Sequence, residues 1–453
     1  MSLRLSTAAL FILLGYLATA AVIASLLLPS QPISLPQWLN IVIAVFVVIG
    51  ITRHLLYTLL GSHFTLRHSR RDKPTYQSNY HPSVSVLIPA WNEEVGLIST
   101  VQSVLSSSYR NLEIIVINDG STDRSDTLMR AFITRYRASA EGKVSTIPIK
   151  YHYQPNGGKS RALNAGLALA RGDIIITIDA DSLIRPDTIQ EFVRHFSDPT
   201  VMAAVGTVRI GNPQTLWGVV QRLEYMVGFY FKRAEAVMDS VYIIGGAAAA
   251  FRRSVFDTIG PYRTDHITED TEITLRLQKH GLKIAYAASA IVYTEGASTL
   301  AGLLRQRLRW KRGRFEAYLE HRNLFFTLRP QHRKLLGWLV MPLTLVGDVY
   351  LLFELPFLTI MLTYGILAGN FLPLIFSLGI ITSLILIQIV SSERGQGSGL
   401  LYALAPISWW VLLAANAVEL HALIRAVSTM ARRKTATWQA WQRVGLAEAV
   451  PKR

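Results

Sequence analysis

Two aspartates in the middle of the 453-residue chain have the spacing of a divalent-cation site. Asp179 and Asp181 follow the apolar run IIIT, so they come at the end of a predicted strand. Residues i and i+2 of a strand point to the same side, and two converging carboxylates repel unless a cation lies between them. A hard ion with oxygen ligands suits this pair, and such ions usually keep substrate phosphate as a further ligand. The alternative is an Asx-turn that leaves the strand.

Two earlier strand ends also carry acidic and amide side chains. Asn92 and Glu93 follow one apolar run, and Asp119 follows the next. Oxygens of such side chains can accept hydrogen bonds from ribose hydroxyls and from a base. The alternative is helix capping by Asn92, and by Ser121 or Thr122. The first strand is not followed by a GxGxxG motif and the sequence has no P-loop motif, which argues against dinucleotide redox chemistry and NTPase activity.

A glycine-rich basic loop follows the third predicted strand. Gly157 and Gly158 allow a sharp bend, and Lys159 and Arg161 place positive charge near a helix start, which suits a phosphate. A turn followed by a solvated basic helix explains the same residues.

Two further groups lie towards the C-terminus. Thr268 and Asp270 open the segment TEITLRLQKHG, where capping of a helix is the simplest interpretation. Gln306, Arg309 and Trp310 lie in the densest basic segment of the chain, for which an amphipathic helix at a membrane surface is the simplest interpretation.

The elements that must position these residues alternate between strands and helices. Apolar runs predict strands over 83–89, 112–118, 147–153 and 173–179, and the stretches between them predict helices over 94–108, 121–139 and 159–171. This alternation is typical of a parallel sheet with right-handed crossovers. Ligands of such sheets bind at the carboxyl ends of the strands, which is where the polar motifs fall.

The composition favours a membrane protein. Hydrophobic residues make up 50% of the chain and charged residues 17%, below the roughly 25% of soluble domains. Zero cysteines exclude disulfides, thiolate zinc sites, iron–sulfur clusters and a cysteine nucleophile. The net charge of +16 is concentrated in 63–73, 305–334 and 425–453, each beside an apolar run. This pattern favours anionic lipid headgroups over nucleic acid as the partner.

The apolar runs predict about five membrane spans. Residues 7–28 are interpreted as an uncleaved anchor rather than a signal peptide. Asp348, Glu354 and two prolines interrupt the run 335–367, which predicts either a broken helix or an interfacial helix followed by a span. The resulting division of the chain is two N-terminal membrane helices in 1–62, a cytoplasmic domain over 63–300, a basic interfacial segment over 301–334, C-terminal membrane helices over 335–425 and a basic tail over 426–453.

Taken in order, these motifs resemble those of the family-2 glycosyltransferases, and especially the membrane-embedded polysaccharide synthases that make poly-N-acetylglucosamine, hyaluronan, chitin oligosaccharides and cellulose. The likeness covers about 80–325 with the flanking spans, and it includes GTVRIGN at 206–212 and LEYMVGFYFKRA at 223–234. It implies an α/β fold: a GT-A type nucleotide-sugar-binding domain with a mostly parallel sheet, joined to a helical transmembrane bundle.

The resemblance also implies a role for each motif. Asp270 would be the general base, and Mg2+ or Mn2+ would be bound by Asp181 with support from Asp179. Donor binding would fall to Asn92, Glu93, Asp119, Lys159 and Asp179. Contacts to the acceptor and the diphosphate would come from Gln306, Arg309, Trp310 and Glu269, with the first three matching the Q-x-x-R-W signature of processive members.

The predicted function is a processive, inverting β-glycosyltransferase of the inner membrane that builds and exports an exopolysaccharide from a UDP-sugar, with UDP-N-acetylglucosamine as the expected donor. One carboxylate base without a second carboxylate as nucleophile fits single displacement, by which an α-linked donor gives a β-linked product. The expected partners are the donor, the growing polysaccharide, membrane lipids and a small membrane or export subunit, and not nucleic acid. The alternatives are a hyaluronan, chitin-oligosaccharide or β-glucan synthase, and a transferase of one sugar to a lipid carrier. A less favoured alternative is a nucleotide-sensing membrane subunit, based on the R-x-x-x-R spacing of Arg67 and Arg71.

Overall fold

The computed structural model describes residues 37–70, 80–139, 142, 147–368, 371–392, 399–432 and 443–446. The predicted span over 7–28, Arg71 of the R-x-x-x-R pattern and most of the basic tail lie outside the described residues.

An eight-stranded sheet forms the centre of the polar region, with the order β3-β2-β1-β4-β7-β6-β8-β5. Four of the seven pairings between described strands are parallel and three are antiparallel, so the sheet is mixed. The strands are β1 Val84–Ala90, β2 Leu112–Asp119, β3 Ile149–Gln154, β4 Ile174–Thr177, β5 Ser182–Ile184, β6 Val201–Ile210, β7 Ala249–Arg252 and β8 Lys283–Thr294.

Helices cover both faces of this sheet, which explains why β1 and β2 are buried along their whole length. Alternate residues of β1 enter opposite cores, since Val86 packs into one apolar cluster and Leu87 into the other. The helices of this region are α2 Leu97–Leu105, α3 Ser125–Ala138, α4 Lys159–Leu169, α5 Thr188–His195, α6 Leu216–Val237, α7 Val255–Ile259, α8 Glu269–Lys279 and α9 Leu300–Glu320.

The four strands β3, β2, β1 and β4 run parallel and end at one edge of the sheet. The chain progresses from β1 to β2 and β3 on one side, and then returns to place β4 on the other side of β1. The loops after β1 and β4 therefore flank the switch point of the sheet, which is the usual place for a ligand.

The expectation that Asp179 and Asp181 come at the end of a strand is wrong. The strand β4 ends at Thr177, and Asp179 and Asp181 lie in the turn between β4 and β5. The alternation of side chains along a strand therefore does not orient the two carboxylates, because both residues lie in the turn that follows β4.

Apolar helices precede and follow this domain, and all but the short α12 are long: α1 Gln37–Arg70, α10 Met341–Ala368, α11 Leu372–Ser392, α12 Gly399–Leu404 and α13 Ser408–Ala431. Within the described residues, three helical stretches are long and apolar enough to cross a membrane, at Leu336–Leu367, Leu374–Ser392 and Gly399–Ala431. Helix α10 continues through Pro356 without a break, and the irregular turn is a π-helical segment at Leu336–Val340. Helix α6 packs on β6 and also on α1, α11 and α13, so it connects the sheet to the apolar helices.

Candidate functional site

A cavity of about 480 Å3 opens between the carboxyl edge of the sheet and the helices α6, α8, α9 and α13. Eight residues singled out from the sequence line it: Lys159, Asp179, Asp181, Glu269, Asp270, Gln306, Arg309 and Trp310. These residues come from four separate parts of the chain, so only the folded protein brings them to one place.

Lys159 lies among the acidic residues of this cavity. Its Nζ is 2.6 Å from Asp179 Oδ1 and 3.0 Å from Glu269 Oε1. Burial opposes the charge of Lys159, but the surrounding carboxylates raise its pKa, so the ammonium stays protonated. Gly246 makes this approach feasible, because a Cβ at that position would lie 2.8 Å from Lys159 Nζ.

Asp270 lies in the first turn of α8 and faces the same cavity. The backbone amide of Thr271 donates to its Oδ1 at 2.7 Å, and that of Gly246 donates to its Oδ2 at 3.3 Å. Burial and the neighbouring Glu269 raise the pKa of Asp270, whereas Lys159 opposes the shift. Thr268 is the N-cap residue but its side chain makes no cap hydrogen bond, so the expected capping role of Thr268 is wrong.

Asp181 and Glu93 are bridged by an arginine that sequence analysis did not identify. Arg443 Nη1 is 2.6 Å from Asp181 Oδ2, and Arg443 Nη2 is 2.7 Å from Glu93 Oε1. Arg443 Nε donates to the second oxygen of Glu93 at 3.1 Å. Burial raises the pKa of Glu93 to about 8, an effect that the Arg443 charge reduces. The guanidinium thus spans the loops after β1 and β4.

Three residues after Arg443 keep this C-terminal segment in place. The amides of Val444 and Gly445 donate to the two carboxylate oxygens of Glu295 at 2.7 and 2.9 Å. Gly445 has φ +90°, a conformation that favours glycine. Leu446 is buried against side chains of β5 and β8, namely Leu183, Ile291 and Tyr293.

Asn92 and Asp119 form hydrogen bonds between the loops that follow the strands at the carboxyl edge of the sheet. Asn92 has φ 55°, and its Oδ1 accepts from Thr122 N at 2.7 Å. The helices α2 and α3 begin at later residues, with Gly96 and Arg124 as their N-cap residues, so the expected capping by Asn92, Ser121 or Thr122 is wrong.

Asp119 shapes the glycine-rich loop. Its Oδ1 accepts from Gly157 N at 3.0 Å and its Oδ2 accepts from Gly158 N at 2.7 Å. Gly158 adopts φ +86°, which a residue with a Cβ rarely adopts. Asp119 thereby sets the position from which Lys159 enters α4.

Helix α9 carries the Q-x-x-R-W residues along one wall of the cavity. The Arg307 guanidinium lies 4.5 Å from the ring centroid of Trp310, and the rings of Trp310 and Tyr225 are 6.5 Å apart. The indole of Trp310 is therefore positioned by a cation and by a second ring, and an indole is a suitable apolar surface for a sugar. Arg309 also lines the cavity, and its charge counteracts the rise in the pKa of Asp270.

Below this wall, α9 is attached to the apolar helices by buried ion pairs. Lys311 Nζ contacts Asp348 Oδ1 at 2.8 Å and Glu419 Oε2 at 2.9 Å. Arg314 also pairs with Asp348, and Arg307 pairs with Glu419 at 3.1 Å. These contacts explain the acidic residue of α10 that the sequence left unassigned, because Asp348 neutralises cations of α9. The other acidic residue, Glu354, accepts from Asn416 at 2.8 Å.

The structure therefore brings most of the proposed residues to one cavity, with Glu93 joined to it through Arg443. Asn92 and Asp119 lie on the adjoining loops and are not among the residues that line the cavity. Sequence reasoning missed Glu295 and Arg443. Only the high charge of the tail signalled that it could bind acidic residues.

Comparison with known proteins agrees with this geometry. The sequence profile of the family described as "Glycosyltransferase like family 2" matches residues 81–313. A poly-beta-1,6-N-acetyl-D-glucosamine synthase of Staphylococcus aureus (strain COL) is 31% identical over 282 residues, which are 60% of this chain and 65% of that protein. The protein of the same name from Staphylococcus epidermidis is 27% identical over 406 residues, which are 85% of this chain and 94% of that protein.

A solved structure supports the fold. A mannosyltransferase from Pyrobaculum calidifontis, in complex with GDP-Man and Mn2+, superposes with a TM-score of 0.53 at 19% identity, covering 86% of this chain and 99% of that one. The expected GT-A domain with an attached helical membrane region is thereby confirmed. Because the family profile covers more than half of the sequence, the chain belongs to the Glycosyltransferase like family 2 and is a glycosyltransferase.

Proposed function

We propose that this protein is a processive, inverting β-glycosyltransferase that uses UDP-N-acetylglucosamine to synthesise poly-N-acetylglucosamine and export it across the membrane. The observation that carries the proposal is the shared cavity of Asp181, Asp270 and Trp310 beside the apolar helices. The names of the staphylococcal relatives support the choice of sugar and polymer. This chain spans about 65% of the length of the first of those relatives, so donor and product are part of the proposal.

Asp270 is assigned as the general base. In the proposed step, an acceptor hydroxyl passes its proton to Asp270 while its oxygen bonds to the anomeric carbon of the donor sugar, and the bond from that carbon to the diphosphate oxygen breaks. UDP leaves with the bonding electron pair. Asp179 and Glu269 form ion pairs with Lys159, and neither is assigned as a second nucleophile. Single displacement inverts the anomeric centre.

The residues at the switch point fit a divalent cation, Mg2+ or Mn2+. Asp181, supported by Asp179, offers oxygen donors, and the ion pairs of Arg443 with Glu93 and Asp181 support a preference of this pair of carboxylates for positive charge. In the described part of the chain, no group of three or more His, Cys, Asp or Glu side chains could hold a metal ion. When bound, such an ion stabilises the negative charge of the diphosphate leaving group.

The Q-x-x-R-W helix is assigned to the acceptor side. Trp310 stacks on the terminal acceptor sugar, Gln306 lies beside it, and Arg309 stabilises the leaving diphosphate. The cavity wall continues to Glu419 on α13, one of the helices long enough to span a membrane. This continuity supports passage of the polymer from the site into the membrane region of a multi-pass inner-membrane protein with its catalytic domain in the cytoplasm.

The experiment is a panel of UDP-sugars offered to membrane vesicles that contain the full-length protein, with UDP release and polymer formation as readouts. We expect release from UDP-N-acetylglucosamine that requires Mg2+ or Mn2+ and is accompanied by polymer. Preference for another UDP-sugar would overturn the donor, and transfer of a single sugar to lipid would overturn processivity. Vesicles from cells without the protein provide the background.

A further inference from the structure

We propose that the C-terminal segment Arg443–Leu446 is an internal competitor of the divalent cation, and that it must leave the switch point before a metal–nucleotide donor can bind. This inference rests on the proposed function, since it assumes that Asp181 binds the cation. It adds a regulatory contact that the transfer reaction itself does not require.

The first argument is the position of the guanidinium. Arg443 contacts Asp181 at 2.6 Å and Glu93 at 2.7 Å, so one cationic group is shared by the loops after β1 and β4. Ligands of open α/β sheets bind where these loops separate. The side chain therefore occupies the place where the diphosphate and its cation are expected.

The second argument is that both carboxylate oxygens of Asp181 already have partners among the described residues. Its Oδ2 pairs with Arg443, and its Oδ1 accepts from Ser182 Oγ at 3.1 Å and from Thr294 Oγ1 at 3.3 Å. A cation that binds Asp181 Oδ2 would lie beside the guanidinium, since Oδ2 is the oxygen that Arg443 contacts. Displacement of the guanidinium is favoured, because two positive charges at the same pair of carboxylates repel each other.

The third argument is the small size of the anchor. Apart from the Arg443 ion pairs, which the cation would replace, the described segment is held by two backbone hydrogen bonds to Glu295 and by one buried apolar side chain, Leu446. The polar contacts can be exchanged for water, and burial of a single leucine is a modest contribution. Such an anchor holds the segment closed in the absence of donor and still permits its release.

Competition of this kind has a quantitative consequence. The apparent dissociation constant of a ligand increases by the inverse of the fraction of protein that is competent to bind it. If the segment is closed about nine-tenths of the time, its release should tighten cation binding about tenfold.

The test is Mn2+ binding to the full-length protein in detergent, measured by the electron paramagnetic resonance of free Mn2+ in the presence of UDP. Arg443→Gln removes the competing charge. Leu446→Asn keeps Arg443, adds no charge and releases the anchor. Arg432→Gln removes an exposed arginine at the end of α13 and is the matched control. We expect about tenfold tighter Mn2+ binding for the first two variants and unchanged binding for the control.

A second readout follows the segment itself. Without metal, the amides of Val444 and Gly445 should be protected from hydrogen exchange by Glu295, and addition of Mn2+ with UDP should increase their exchange rates. The proposal is overturned if these amides stay protected while Mn2+ is bound. It is also overturned if both variants bind Mn2+ as the wild type does, or more weakly. If Mn2+ with UDP binds to none of the proteins, including the two released variants, the proposed function fails with it.

Discussion

Asp270 is the residue on which the proposed chemistry depends, because it combines a cavity position with a raised pKa. Asp270→Asn keeps the shape of the side chain and removes its ability to accept a proton. We expect kcat for UDP release to fall about a thousandfold, within the range usual for a general base, with little change in the KM for the donor. Steady-state UDP release in membrane vesicles measures both.

A matched control lies five residues earlier. Asp265 is exposed and pairs with Arg263, so Asp265→Asn removes a nearby negative charge without touching the cavity. The kcat of the Asp265→Asn variant should equal that of the wild type. Equal rates for Asp270→Asn and the wild type would reject the assignment of the base.

The pKa of Asp270 also predicts a pH dependence. Burial and Glu269 raise this pKa above its ordinary value of 3.8. The base acts when it is ionised, so kcat should increase with pH. The midpoint of this increase, the acid limb of the rate–pH profile, should lie above pH 3.8. The folded state binds this proton more tightly than the unfolded chain does. The contribution of Asp270 to stability is therefore greatest at low pH and is lost as the pH rises through the folded-state pKa. A rate–pH profile measures the limb, and an acid limb at or below 3.8 would contradict the shift.

At the scale of elements, the contact between α9 and α8 links the Q-x-x-R-W helix to the base. Gly313 of α9 lies so close to Thr268 that a Cβ on the glycine would overlap the threonine side chain. Gly313→Ala should therefore destabilise the protein by about 1–3 kcal/mol, although alanine is the better helix former. Thermal unfolding in detergent measures the loss.

The control for this substitution is Gly379→Ala on α11. Within the described residues, no atom outside the local backbone of α11 lies within 4 Å of the Cβ that this change adds. The melting temperature should stay constant or increase slightly, because only the gain in helix propensity remains. Similar losses for both variants would show that the close approach to Thr268 is not what limits Gly313.

The elements were largely predictable from local sequence. Segments such as LEIIVIND read as buried strands because parallel strands covered on both faces are apolar throughout, and β2 is buried at every residue. The antiparallel pairing of β7 with β4 and β6 was not predictable, because alternation of strands and helices does not give strand order. The turn at Asp179–Asp181 was also missed, since IIITID continues the apolar pattern of a strand past its end at Thr177.

The site was predictable only in part, because some of its contacts join segments that are far apart in the sequence. Motifs that follow strands could be assigned to one sheet edge, but contacts between distant segments leave no local pattern. Arg443 and Glu93 are separated by 350 residues, and no spacing in the sequence connects them. The same holds for the pairing of Lys311 with Asp348, which required the docking of α9 on α10.

At the scale of the whole molecule, the buried ion pairs join the catalytic domain to the apolar helices. Asp348 neutralises both Lys311 and Arg314, and its removal would leave two buried cations with fewer partners. Asp348→Asn should therefore destabilise the protein by about 3–5 kcal/mol. Thermal unfolding of the full chain in detergent or nanodiscs measures the change.

Glu316→Gln is the control for this prediction. Glu316 pairs with Arg312 on the same helix at 2.7 Å, but the pair is more accessible to solvent and its loss should cost less than about 1 kcal/mol. If the double variant Asp348→Asn with Lys311→Met is more stable than Asp348→Asn alone, the uncompensated charge is the cause. A small loss for Asp348→Asn, equal to that for Glu316→Gln, would contradict the structural role of the network.

The proposed function requires one cavity to transfer N-acetylglucosamine from its UDP donor to a growing β-linked polymer. The most direct measurement is incorporation of radiolabelled sugar from UDP-N-acetylglucosamine by washed vesicles, followed by digestion with a hydrolase specific for β-1,6-linked N-acetylglucosamine. We expect label in a high-molecular-weight product that forms only with Mg2+ or Mn2+ present and that the hydrolase degrades. Label confined to free sugar or to a lipid-linked monosaccharide would contradict it.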